Sequence, residues 1–152
     1  MSEKPDLNTA TPRPKRPKRN RRWVSLVESY VAGDYLVVPL TSASDLRDEA
    51  WQMNHCVGRN YPTWCKDGFI RVFSIRDLDD RRIATASLLF DYDANRWRVE
   101  QCKGHSNSEV CWEGAEPSDL FFVIEDMARL YQKVYEAGAP SLQTSAGGSS
   151  SV

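Results

Sequence analysis

Phe69-Ile70-Arg71-Val72-Phe73-Ser74-Ile75-Arg76 alternates in part between apolar and polar residues and runs into Asp77-Leu78-Asp79-Asp80. Residues 82–90 follow, apolar at Ile83, Ala84, Leu88 and Leu89. After Asp91-Tyr92-Asp93-Ala94-Asn95, residues 96–102 return with Trp97, Val99 and Gln101 expected on one face. β-Branched and aromatic residues suit a pleated, half-buried surface, and clusters of Asp and Asn reverse the chain. Three such segments joined by short turns read as an antiparallel meander.

The clearest element downstream is a helix opened by Pro117-Ser118-Asp119. Leu120, Ile124, Met127, Tyr131 and Val134 make its apolar stripe, Val123 and Leu130 flank it, and Gly138 and Pro140 stop it. That spacing puts the stripe on one side, to be buried on the meander as core. Upstream, Ser42 or Ser44 is placed to cap a helix through about Met53. Leu46, Ala50 and Met53 recur at helical spacing there, and Asp45, Asp48 and Glu49 favour its N-terminal half. Tyr35-Leu36-Val37-Val38-Pro39 reads as a short strand, and residues 23–31 as a short helix ending near Gly33. The expected fold is α+β: a single small domain with an antiparallel three- to four-stranded sheet packed by helices on one side.

The 152 residues bound the chain to one domain. No run of about 18 apolar residues exists to span a membrane, and no apolar segment marks a secretory signal. A cytoplasmic protein is expected, with Cys56, Cys65, Cys102 and Cys111 as thiols or ligands in place of disulfides. The net charge of −1 conceals an asymmetry. Arg13, Lys15, Arg16, Lys18, Arg19, Arg21 and Arg22 carry seven positive charges with no acid among residues 11–22. From Trp23 onward 12 basic residues meet 19 acidic ones, a difference of −7. Prolines among the charges forbid a continuous helix. Residues 1–22 are therefore expected to be a disordered basic arm, 23–139 the folded domain and 140–152 a disordered Ser/Gly-rich tail. Such an arm can neutralise phosphates, so nucleic acid is the expected partner; it can equally serve as a solubilising tail.

The chemistry-bearing stretch is Met53-Asn54-His55-Cys56-Val57-Gly58-Arg59-Asn60-Tyr61, which holds one of two histidines beside one of four cysteines. Neighbouring side chains of an extended segment diverge, so one enters a site while the other packs. In one reading Cys56 is a nucleophile activated by a histidine such as His105, with Gln101 or Asn107 orienting the base. In another, His55, Cys56, Cys65, Cys102 and His105 hold a metal, although the adjacent pair is awkward and no Cys-x-x-Cys exists. In a third, Arg76, Thr85, Gln101, Lys103 and Asn107 hold a phosphate or nucleotide. The plainest reading makes His55 a turn-fixing side chain and Gln101 a satisfied core amide. It puts Gly58 and Gly104 at positive φ, Arg76 in a surface pair with Asp77 or Asp79, and Trp51, Trp64, Trp97 and Trp112 in the core or its rim.

Four ordered blocks resemble the PcfJ-like proteins of conjugative plasmids and phages: His55-Cys56-Val57-Gly58 with Tyr61; Gly68 leading to Phe73-Ser74-Ile75-Arg76; Ala84-Thr85; and Gln101-Cys102-Lys103-Gly104 with Asn107. They span about residues 50–107 and depart from the family at Ser87, where similar proteins place a glutamate. The resemblance implies a mobile-element accessory protein and no defined reaction or cofactor. The expected site is His55, Cys56, Gln101 and Asn107 as catalytic candidates, with Arg76, Thr85, Lys103 and Gly104 as ligand-binding ones and no metal. Binding of nucleic acid or a nucleotide through the arm and a polar pocket is the expected function; an enzyme using Cys56 or His55 is the alternative.

Overall fold

Five antiparallel strands form one sheet in chain order: β1 (Tyr30–Ala32), β2 (Tyr35–Leu40), β3 (Ile70–Asp77), β4 (Arg82–Asp91) and β5 (Arg96–Lys103). Helices α1 (Ala43–Met53) and α2 (Tyr61–Asp67) come between β2 and β3. A small ribbon of β6 (Trp112–Glu113) and β7 (Glu116–Pro117) precedes α3 (Asp119–Glu136). The computed structural model describes residues 20–55, 57 and 59–138. The basic run through Arg19, Cys56, Gly58 and the Ser/Gly-rich tail thus lie outside the described residues.

The α+β class and the meander are as expected, with one addition at the sheet edge. No helix forms over residues 23–31. Gly33, at φ +61°, makes a tight turn with Asp34, and Tyr30 pairs with Val37, so this segment becomes a fifth strand. Its upstream end is anchored by Trp23, whose indole N–H donates to the Leu40 carbonyl at 3.0 Å.

The helices cover both faces of the sheet, where one was expected. Phe73, Ile75, Ala84, Ala86 and Leu88 pack with Leu120, Ile124, Met127 and Tyr131 of α3. Their neighbours along the strand, Ile70 and Val72, pack with Leu46 of α1 and Cys65 of α2. Residues 70–75 are consequently buried without alternation, the signature of a strand covered on both sides. Each fully buried large apolar side chain contributes about 1.5–3 kcal/mol. α3 also serves the edge strand: buried Gln132 accepts the Trp97 backbone N–H at 2.7 Å through its side-chain oxygen.

A β-bulge in β5 decides which side chains reach the site. Ser87 faces Gln101 while Leu88 faces Val99, leaving Glu100 without a partner across the ladder. The extra residue resets the alternation. Trp97 and Cys102 are buried towards α3, whereas Gln101 turns to the other face. The expectation of Trp97, Val99 and Gln101 on one face fails at this point.

Residues 20–23, expected partly in the arm, are held on the fold. The Asn20 side-chain oxygen accepts the Ser44 N–H at 2.8 Å, the Ala43 N–H donates to the Arg21 carbonyl at 2.8 Å, and Arg22 bridges Ser42. With Ser42 accepting from the Asp45 N–H at 3.1 Å, these contacts satisfy N–H groups that open α1. Buried Arg71 is satisfied by carbonyls, donating to those of Val24, Cys65 and Ile70 at 3.0, 2.9 and 2.8 Å.

Candidate functional site

α1 buries Leu46 and Met53 against the sheet, and Glu49 between them is 0 % exposed. A carboxylate there needs partners, since burying an unpaired charge is costly. Arg82 of β4 donates to one of its oxygens at 2.7 Å and to Asp48 at 2.8 Å. The other oxygen of Glu49 accepts the Thr85 hydroxyl at 2.5 Å. α1 ends at Asn54, left-handed at φ 54°, which swings the following residue over the sheet. His55 Nε2 then lies 2.8 Å from Thr85 Oγ1.

These contacts fix the protons. Thr85 has one hydroxyl proton and gives it to Glu49, so its oxygen accepts from His55 Nε2–H. Nδ1 keeps its lone pair and receives the Val57 N–H at 3.4 Å. Burial favours the same neutral imidazole, holding the His55 pKa below its ordinary value of 6.5, while Glu49 pulls the other way without overcoming it.

His55, Val57, Tyr61, Thr85, Ala86, Ser87, Gln101, Lys103 and Asn107 line a cleft of about 30 Å³. That volume admits one or two water-sized groups, so a ligand would insert a single polar group here. One wall is a hydrogen-bonded set: Tyr61 and Ser87 donate to Glu100 Oε1 at 2.9 and 2.6 Å, and Gln101 donates to the Tyr61 hydroxyl at 3.1 Å. Lys103 has no ion-pair partner among the described residues. Asn54 Nδ2 donates to Ser106 Oγ at 2.8 Å, tying the far loop to the end of α1.

Five residues singled out from the sequence thus converge: His55, Thr85, Gln101, Lys103 and Asn107. Gly104 supports the loop from behind, with φ −87° in place of the expected positive value. Its requirement for glycine is steric, because a Cβ would stand 2.5 Å from Val110 Cγ1 and 2.6 Å from Ser108 Oγ. Arg76 does not line the cleft; it donates to Ser74 at 3.0 Å and pairs with Asp80, not Asp77 or Asp79. Cys56 lies outside the described residues. The metal reading fares poorly in placement. Cys65 is buried on the inner face of α2, its thiol pushed up to about 12 by burial. Cys102 faces α3 and hydrogen-bonds Cys111, a contact that raises its own pKa and lowers that of Cys111. Among the described residues no group of three or more His, Cys, Asp or Glu could hold a metal ion.

Sequence reasoning missed Glu49, Ser87 and Glu100 as site residues. Ser87, singled out only as a departure from the family pattern, donates its hydroxyl to Glu100 on the neighbouring strand. Nothing in the sequence distinguishes Glu49 from the exposed acids of α1.

The His55 environment makes stability depend on pH. The unfolded chain takes up a proton near pH 6.5, whereas the folded chain keeps His55 neutral to lower pH. Its contribution is therefore complete above that value and is lost as the pH falls below it. Between about pH 7.5 and about pH 5.5, urea denaturation should show the wild type losing more stability than His55→Asn. Parallel declines in the two proteins would remove His55 as the source.

Among the described residues no helix is long and apolar enough to cross a membrane. A family model described as PcfJ-like protein matches residues 7–116. No curated protein and no solved structure matches the chain.

Proposed function

The chain belongs to the PcfJ-like protein family, and we propose that it is a mobile-element accessory protein that binds nucleic acid through its basic arm and the His55 cleft. The observation that carries this reading is the convergence of Gln101, Lys103 and Asn107 on one cleft, with the Lys103 charge unpaired among the described residues. Donors so arranged suit a phosphate oxygen or a base edge. The arm enters beside the same wall, since Arg21 donates to Thr63 at 2.9 Å, two residues from Tyr61 in α2. The acidic body makes the arm the main source of electrostatic affinity.

The test removes residues 1–19 and leaves Asn20–Arg22, which cap α1. Arg13, Lys15, Arg16, Lys18 and Arg19 go with it. Duplex affinity should fall at least about tenfold at ~100 mM salt, and the dependence of log K on log salt should flatten. Unchanged affinity and slope would sink the role of the arm.

A second reading is favoured by the Glu49–Thr85–His55 chain. A buried carboxylate linked through a hydroxyl to a neutral imidazole can steady a histidine that exchanges protons with a bound group. Under this reading His55 acts on the nucleic acid the protein binds. Recovery of that nucleic acid chemically intact from the same titrations would remove it.

A further inference from the structure

Trp51 departs from the expectation that the tryptophans lie in the core or at its rim: it is 83 % exposed. It stands on α1 one turn from Arg47, on the ridge that begins at Ser44. Arg47, Ala50, Trp51, Asn54, His55 and His105 surround a shallow depression of about 680 Å³. No carboxylate is among these residues, although the body from Trp23 onward carries 19 acids to 12 bases. His55 belongs both to this depression and to the cleft, so the two are contiguous.

We infer that Trp51 is a stacking platform for an unpaired base of single-stranded nucleic acid, with Arg47 and His105 flanking the backbone and the His55 cleft next along the strand. The inference rests on the nucleic-acid reading above and narrows it to unpaired strands. An aromatic face accepts any base, and its stacking energy is available only where the base is free of a duplex. An arginine beside the ring adds charge attraction to the phosphates. The placement of Asn20 agrees. Asn20, the first described residue of the basic run, bonds Ser44 on the same ridge as Trp51. Trp51 lies seven helical steps beyond Ser44, about 10 Å along the axis, so cations of the arm and the indole can engage neighbouring nucleotides.

The experiment titrates full-length protein into labelled oligothymidine and into a duplex of equal length, following fluorescence anisotropy. Trp51→Ala should weaken oligothymidine binding about tenfold and leave duplex binding and the urea midpoint unchanged. Trp51→Phe, which keeps a ring, should recover most of the loss. If the wild type binds both ligands and Trp51→Ala weakens neither, or both alike, the platform is overturned while the arm reading stands. A wild type that binds neither ligand overturns both. A dimer in analytical ultracentrifugation that Trp51→Ala dissociates, with oligothymidine affinity unchanged, would make this face a protein interface and also overturn the platform.

Discussion

Replacing Glu49 by alanine should cost about 3 kcal/mol of folding free energy, read as a lower urea midpoint at unchanged slope. Glu49 is 0 % exposed and holds two partners on β4, the Arg82 guanidinium and the Thr85 hydroxyl. Truncation strands both beneath α1. The cost falls at the low end for a broken buried pair, because the Arg82 side chain is 20 % exposed and keeps Asp48. Glu49→Gln retains an acceptor for Thr85 without the charge that Arg82 meets, and should lose roughly half as much. A loss below about 1 kcal/mol for Glu49→Ala would mean that Arg82 and Thr85 are served by solvent, and the link from α1 through Thr85 to His55 would lose its basis.

The second large effect is expected on the opposite face of the sheet. Tyr131→Ala should cost about 4 kcal/mol, in the range for truncating a large buried aromatic. Its ring is fully buried, edge-on to Phe73 at 5.9 Å and to Trp97 at 5.1 Å between centroids. Its hydroxyl accepts the Leu26 N–H at 3.1 Å, fastening the segment before β1 to α3. Arg71 and Ser25 also hydrogen-bond this hydroxyl. Tyr131→Phe removes these polar contacts together while keeping the ring, and should cost about 1 kcal/mol. Equal losses in the two variants would assign the energy to the hydroxyl and not to ring packing. Because Glu49 and Tyr131 share no partner, their effects should add in the double variant.

Those faces also divide what could be read from the sequence. The stripe Leu120, Ile124, Met127, Tyr131 declares itself through periodicity, and the meander through alternation and its acidic turns. Both are local patterns. Residues 70–75 carried a further signal, an apolar run too continuous for one-sided burial, yet its meaning depends on α2, whose seven residues with Pro62 and Trp64 show no period. Residues 23–31 have apolar spacing that fits a turn of helix; a hairpin at Gly33 and pairing with β2 override it. At the site, His55, Thr85, Gln101, Lys103 and Asn107 were legible because the order of motif blocks brings them to strand ends and loops. Glu49 was not. On a helix rich in acids, only tertiary packing distinguishes the buried one. The wall of Ser87 and Glu100 was hidden for a related reason, since a bulge leaves no mark in composition.

The bulge at Glu100 has a consequence for comparing relatives. It works as a frameshift in side-chain space: past it, the residues that follow exchange membership between packing and recognition. Two homologues that differ by this one residue in β5 would, when aligned from the start of the strand without a gap, place the positions of Gln101 and Lys103 on opposite sides of the sheet. An ungapped alignment would then equate site positions with core positions and report divergence where the cleft is the same. Loss of one residue in β5 would change the chemistry of the cleft more than most substitutions within it.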